Sequence, residues 1–263
     1  MSLNSSNSNP TDTSMMRPKG SHRGWILLFT LPLWVLLSFV AAQLLVSGLV
    51  QVLDLASMSL SAVNPNVLNT SFAALIYLLT LLIAIGVPWI ANKKYRLTLD
   101  DIGLGRLPTW TDIWMTPVGL IVYFILTTVL IAAATSLFPS FDVKEVQDTG
   151  FADLNFRYEY IVAFITLVVI APIAEEILFR GYLFGKLLKV VPIWIAVLAT
   201  SLLFGFVHGA WNVAIDTFAL SIILCVLRLT TGSLWAPIML HMTKNGIAFY
   251  LLFINPSLLT TLG

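Results

Sequence analysis

The chain has 263 residues, 58% hydrophobic and only 10% charged, with a mean hydropathy of +0.92. A water-soluble domain of this length needs more charge to cover its surface, so the chain reads as an integral membrane protein. The net charge of +1 carries no nucleic-acid footprint, and a single cysteine, Cys225, excludes an intramolecular disulfide.

Residues 1–22, rich in Ser, Asn and Thr, read as a disordered tail ahead of one membrane bundle over 23–263. A helix needs about 20 apolar residues to cross a hydrocarbon core of about 30 Å. Runs of roughly that length occur at Trp25–Val46, Phe72–Ile90, Thr116–Leu137, Tyr160–Phe184, Val191–Val207, Val213–Leu227 and Leu234–Ile254. They predict an all-α, polytopic helical bundle of about seven transmembrane helices, because lipid offers the backbone no hydrogen-bond partner. Val213–Leu227 is the short one. The first run is too long for a cleaved signal and reads as a retained anchor. Arg17, Lys19 and Arg23 precede it, and Lys93, Lys94, Arg96 and Arg106 fill the second loop. By contrast, Leu53–Ser71 has no Lys or Arg, and Pro139–Glu159 is dominated by Asp142, Glu145, Asp148, Asp153 and Glu159. The positive-inside rule then places the N-terminus inside. The short loops favour a prokaryotic plasma membrane.

The fourth run contains two adjacent glutamates, Glu175 and Glu176, with Arg180 one turn later. Ionisable groups at such depth are expensive and mark a functional site by default. Glu176 and Arg180 stand at i,i+4 and can pair along one face, while Glu175 lies about 100° round the helix and is left to face a cavity. The bland alternative is an architectural clamp. Pro172 frees the carbonyl of Val168 just before the pair. His208, in Phe204-Gly-Phe-Val-His208, lies almost as far from the turn at Val190–Pro192 as Glu175 does, so an antiparallel hairpin brings both to one depth. His241 and Asn245 share a face of the last helix, where two donors can serve a developing oxyanion. Interhelical polar glue is the alternative there. Lys244 is expected to point elsewhere, to snorkel or to pair with a carboxylate, and is assigned no role.

The ordered set Glu175-Glu176-xxx-Arg180, Phe204-xxx-His208 and His241-xxx-Asn245 resembles the CAAX protease and bacteriocin-processing family of intramembrane proteases. The resemblance covers the core domain at about 160–254. It implies an intramembrane endopeptidase acting on a membrane-associated peptide or protein, with Glu175, Glu176, Arg180, His208, His241 and Asn245 as the catalytic set. Glu175 would activate water, His208 would hold it and shuttle its proton, and His241 with Asn245 would form the oxyanion hole. Glu176 and Arg180 would lock the helix face. Glu175, His208 and His241 also make the His₂Glu set of a catalytic zinc site, so a divalent metal such as zinc stands beside a metal-free glutamate mechanism. No H-E-x-x-H helix is present to decide it. Two readings of other classes use the same residues, a small proton-coupled transporter and a non-catalytic membrane scaffold or immunity protein.

Overall fold

The computed structural model describes residues 22–56, 60, 63–92, 96–138, 141 and 154–258. The expected disordered tail, save its last residue, lies outside them. So do Arg17, Lys19, Lys93, Lys94 and the acids Asp142, Glu145, Asp148 and Asp153, on which much of the orientation argument rests.

All regular structure among the described residues is helical. In chain order the elements are α1 (His22–Leu55), α2 (Pro65–Ala91), α3 (Leu99–Ile102) and α4 (Trp110–Leu137), then α5 (Arg157–Leu187), α6 (Ile193–Phe206), α7 (Trp211–Thr231) and α8 (Trp235–Phe249). A wider turn over Tyr250–Ile254 prolongs α8. Helices α1, α2, α4, α5 and α7 are long and apolar enough to cross a membrane. The chain is a polytopic helical membrane bundle.

Each of the seven expected runs falls on one of these helices, but the short member is not the one anticipated. Val213–Leu227 is the middle of α7, a 21-residue helix. The short helix is α6, whose 14 residues rise about 21 Å. The last run holds α8, which carries His241, Lys244 and Asn245 and is not among the five spanning helices.

Local chemistry sets several boundaries. Pro65 begins α2, where its missing N–H is no loss, and the Asn64 side chain accepts from the N–H groups of Asn66 and Val67. Thr98 and Asp101 close a reciprocal capping box at α3. The Thr98 backbone N–H, then its hydroxyl, hold the Asp101 carboxyl below its ordinary pKa. Gly209 takes φ +79°, which lets the chain reverse between α6 and α7. Those two helices also approach closely: a Cβ on Gly205 would lie 2.7 Å from the Ala214 carbonyl oxygen. Small residues allow such contact between membrane helices, and this one fixes the corner that carries His208.

The interior forms around α5, where Leu183, Phe184 and Leu187 pack with Phe204, Leu220 and Leu224, all fully buried. Large apolar side chains such as Phe29, Leu44, Ile90 and Phe206 are exposed instead, as a lipid-facing surface requires.

Candidate active site

Helix α5 is not uniform. Wider turns over Ile165–Ile170 and Ile177–Phe184 flank the regular segment Ala171–Glu176 that carries the two glutamates. Such turns shift the hydrogen-bond register and are frequent at functional sites.

The adjacent carboxylates have opposite environments. Glu176 is fully buried, and its Oε1 accepts from Arg180 Nη1 at 2.9 Å. The same oxygen lies 2.8 Å from Nδ1 of His241, which belongs to α8. The Arg180 guanidinium is also fully buried and sits 4.3 Å from the Phe204 ring centre, so an aromatic face replaces part of its lost hydration. Glu176 therefore holds a histidine of another helix as well as the arginine of its own, which the i,i+4 spacing alone did not reveal. Glu175 keeps 13% of its side-chain surface exposed and faces a cavity of about 720 Å³. Its Oε1 accepts from the Tyr77 hydroxyl at 2.8 Å, and its Oε2 lies 3.7 Å from Nε2 of His241.

His208 follows the last turn of α6, with Nδ1 2.6 Å from the Phe204 carbonyl oxygen. It lines the same cavity as Glu175, as their equal distance from the α5–α6 turn predicted. His241 and Asn245 line that cavity too, so four of the six expected residues meet at one space. Glu176 and Arg180 stand behind it, reaching it only through His241.

Asn245 has one donor already engaged: its Nδ2 donates to the Leu167 carbonyl at 2.9 Å. The wider turn explains why the freed carbonyl is that of Leu167 and not Val168. Ala171 donates to Thr166, five residues back, so in this register the donor due at Leu167 is Pro172, which has no N–H. The second N–H of the Asn245 amide is the one available for other work.

Two residues near the cavity were missed. Tyr77, on α2, bonds directly to Glu175. Lys244 also lines the cavity, contrary to the expectation that it points elsewhere, and pairs with Asp216 of α7 at 3.1 Å. Asp216 in turn accepts from the Tyr123 hydroxyl of α4 at 2.5 Å. The signal for Lys244 was present, since it follows His241 at i+3 on the same helical face. Tyr77 is one tyrosine in an apolar run and has no spacing relation to α5.

Glu175, His208 and His241, the expected zinc set, line this one cavity. Among the described residues no three His, Cys, Asp or Glu side chains are grouped to hold a metal ion. Nε2 of His241 stands 3.7 Å from Oε2 of Glu175, close to the separation of two ligands on one zinc held at roughly 2.0–2.2 Å, and its Nδ1 meets Glu176, as the second nitrogen of a metal-bound histidine usually meets a carboxylate.

Residues 157–247 match the family model described as type II CAAX prenyl endopeptidase, Rce1-like. The match opens at the first residue of α5 and closes within α8, so it contains all six expected residues and leaves Tyr77 outside. Among curated proteins, the chain is 31% identical over 97 residues to the membrane-embedded CAAX protease MroQ of Staphylococcus aureus, which is 35% of this chain and 39% of that protein. It is 32% identical over 106 residues to an uncharacterized 24.3 kDa protein of Escherichia coli, 38% of this chain and 48% of the relative. It is also 32% identical over 77 residues to YdiL of Bacillus subtilis, 29% of this chain and 32% of the relative. The chain thus spans less than half the length of these relatives. No solved structure matches it.

Proposed function

We propose that this chain, which belongs to the CAAX protease and bacteriocin-processing family through residues 157–247, is an intramembrane endopeptidase that hydrolyses a peptide bond of a membrane-associated protein or peptide. The observation that carries the reading is the contrast between neighbours. Glu176 is sealed by Arg180 and His241, while Glu175 faces a cavity shared with His208, His241 and Asn245.

Amide hydrolysis needs a base for water, donors for the oxyanion and a proton for the leaving amine. Glu175 takes a proton from a water in the cavity as the oxygen attacks the scissile carbonyl carbon. The carbonyl oxygen becomes an oxyanion and receives hydrogen bonds from the Asn245 amide and from His241. If Nδ1–H of His241 donates to Glu176, an Nε2–H exists only in the imidazolium form, so Glu176 supplies the anion that such a form needs. The carbon–nitrogen bond then breaks, and the proton held by Glu175 passes to the leaving amine. His208 orients the water and relays its proton. Glu176 and Arg180 act on His241 and are positioning residues. The Tyr77 hydroxyl fixes the Glu175 carboxylate in the orientation that faces the cavity.

The test is direct. Purified protein in lipid nanodiscs is incubated with membrane-associated peptides, and mass spectrometry searches for new termini. Internal cleavage supports the endopeptidase. Proton flux across proteoliposomes with every peptide intact would replace it with the relay, and partner capture without cleavage would replace it with the scaffold. The family resemblance and the bacterial relatives support a bacterial membrane, and the loop charges support an inside N-terminus. Protease protection of an N-terminal tag checks the second point.

A further inference from the structure

A second, smaller space adjoins Glu175. It measures about 170 Å³ and lies between α1, α2 and α5, walled by Leu36, Phe39, Thr80, Leu81, Leu178 and Phe179. Tyr77, Glu175 and His208 line both this space and the large cavity, so they form the boundary between the two. The small chamber is otherwise almost wholly apolar. The Thr80 hydroxyl donates to the Ile76 carbonyl of its own helix and adds little polarity to the wall.

We infer that this chamber is a specificity pocket that takes one apolar side chain of the substrate, on a residue flanking the bond that is cleaved. The inference rests on the endopeptidase reading above. Three observations converge on it. The proposed base itself borders both spaces, so a chain held for attack in the large cavity places a flanking side chain beside the small one. The walls offer no charged group beyond Glu175 and His208 at that boundary. The volume also fits: apolar cavities of about 150 Å³ stay dry and take a benzene-sized guest, comparable to a Leu, Met or Phe side chain. Leu36, Phe39, Thr80 and Leu81 all lie outside residues 157–247. Selection is therefore shared between the N-terminal helices and Leu178 and Phe179 of α5, while the chemistry lies on the C-terminal helices.

The test is a cleavage profile of the full chain on a degenerate peptide library, read by mass spectrometry, for the wild type, Leu36→Trp and Phe39→Ala. Wild type should favour Leu, Met or Phe at one position flanking the cut. Ala there should lower kcat/KM by at least about 10-fold, since each methylene in an apolar pocket is worth roughly 10–200-fold. Leu36→Trp fills the pocket and should move the optimum to Ala or Gly, and cleavage of those peptides shows that the variant is folded. Phe39→Ala enlarges it and should admit Trp. A wild type that cleaves, is silenced by Glu175→Gln, and yet has no preference at either flanking position overturns the pocket alone, as does an unchanged profile in both variants. Undiminished cleavage by Glu175→Gln removes the proposed base. A wild type that cleaves nothing overturns the endopeptidase and the pocket together.

Discussion

The two halves of this bundle use similar apolar letters for different purposes. In α5 and α7, 44% of the most apolar window is buried inside the protein, against 17% in α1, 11% in α2 and 17% in α4. The C-terminal helices therefore supply the interior and nearly all of the polar constellation, while the N-terminal helices present most of their surface to lipid. Yet the peripheral half is not inert. It sends Tyr77 to Glu175 and walls the small chamber beside it. Burial marks where the machinery is anchored, and the bonds from Tyr77 to Glu175 and from Tyr123 to Asp216 show where the outer helices join it.

Substitutions can sharpen or break that division. The largest effect is expected in the buried half. Glu176→Ala leaves the Arg180 cation buried without its carboxylate, and removing one partner of such a pair costs about 3–5 kcal/mol. Thermal or denaturant unfolding in detergent measures it, and a loss below about 1 kcal/mol would show that the pair is not the anchor described. Tyr77→Phe comes next, and it tests whether the outer half reaches the chemistry. A hydrogen bond to a charged group is worth about 1.5–3 kcal/mol. The variant should lose roughly 10- to 100-fold in kcat with KM and melting temperature nearly unchanged, whereas a merely structural tyrosine would lower stability and leave kcat alone. The smallest effect is expected at Leu44, which is 67% exposed on α1. Leu44→Ala should stay within about 0.5 kcal/mol of the wild type and retain full activity. A large loss there would mean that this face is covered by protein.

Much of this was legible in the letters because membrane constraints are strict. The seven apolar runs located the helices, since lipid permits few other backbones. The i,i+4 spacing paired Glu176 with Arg180, and equal chain lengths about one turn brought His208 to the depth of Glu175. What escaped depended on departures from ideal helical geometry or on contacts without periodicity. The wider turn at Ile165–Ile170 moved the orphan carbonyl from Val168 to Leu167, and with it the partner of Asn245. The bond between His241 and Glu176 joins residues 65 positions apart and follows from how α8 packs on α5. A carboxylate partner for Lys244 is a natural expectation, but its identity as Asp216 depends on how α7 packs against α8. Tyr77 gave no signal, because a single tyrosine among apolar residues is ordinary in a membrane helix.

The measurement that bears most directly on the account is the single-turnover cleavage rate of Glu175→Gln in nanodiscs, set beside its melting temperature. The change keeps the size of the side chain and removes its basicity. General-base catalysis contributes typically about 10²- to 10⁴-fold, so the rate should fall by at least about 100-fold while the melting temperature stays within a few degrees of the wild type. A rate within about threefold of the wild type, in a protein equally stable, would contradict the assignment of Glu175 as the base.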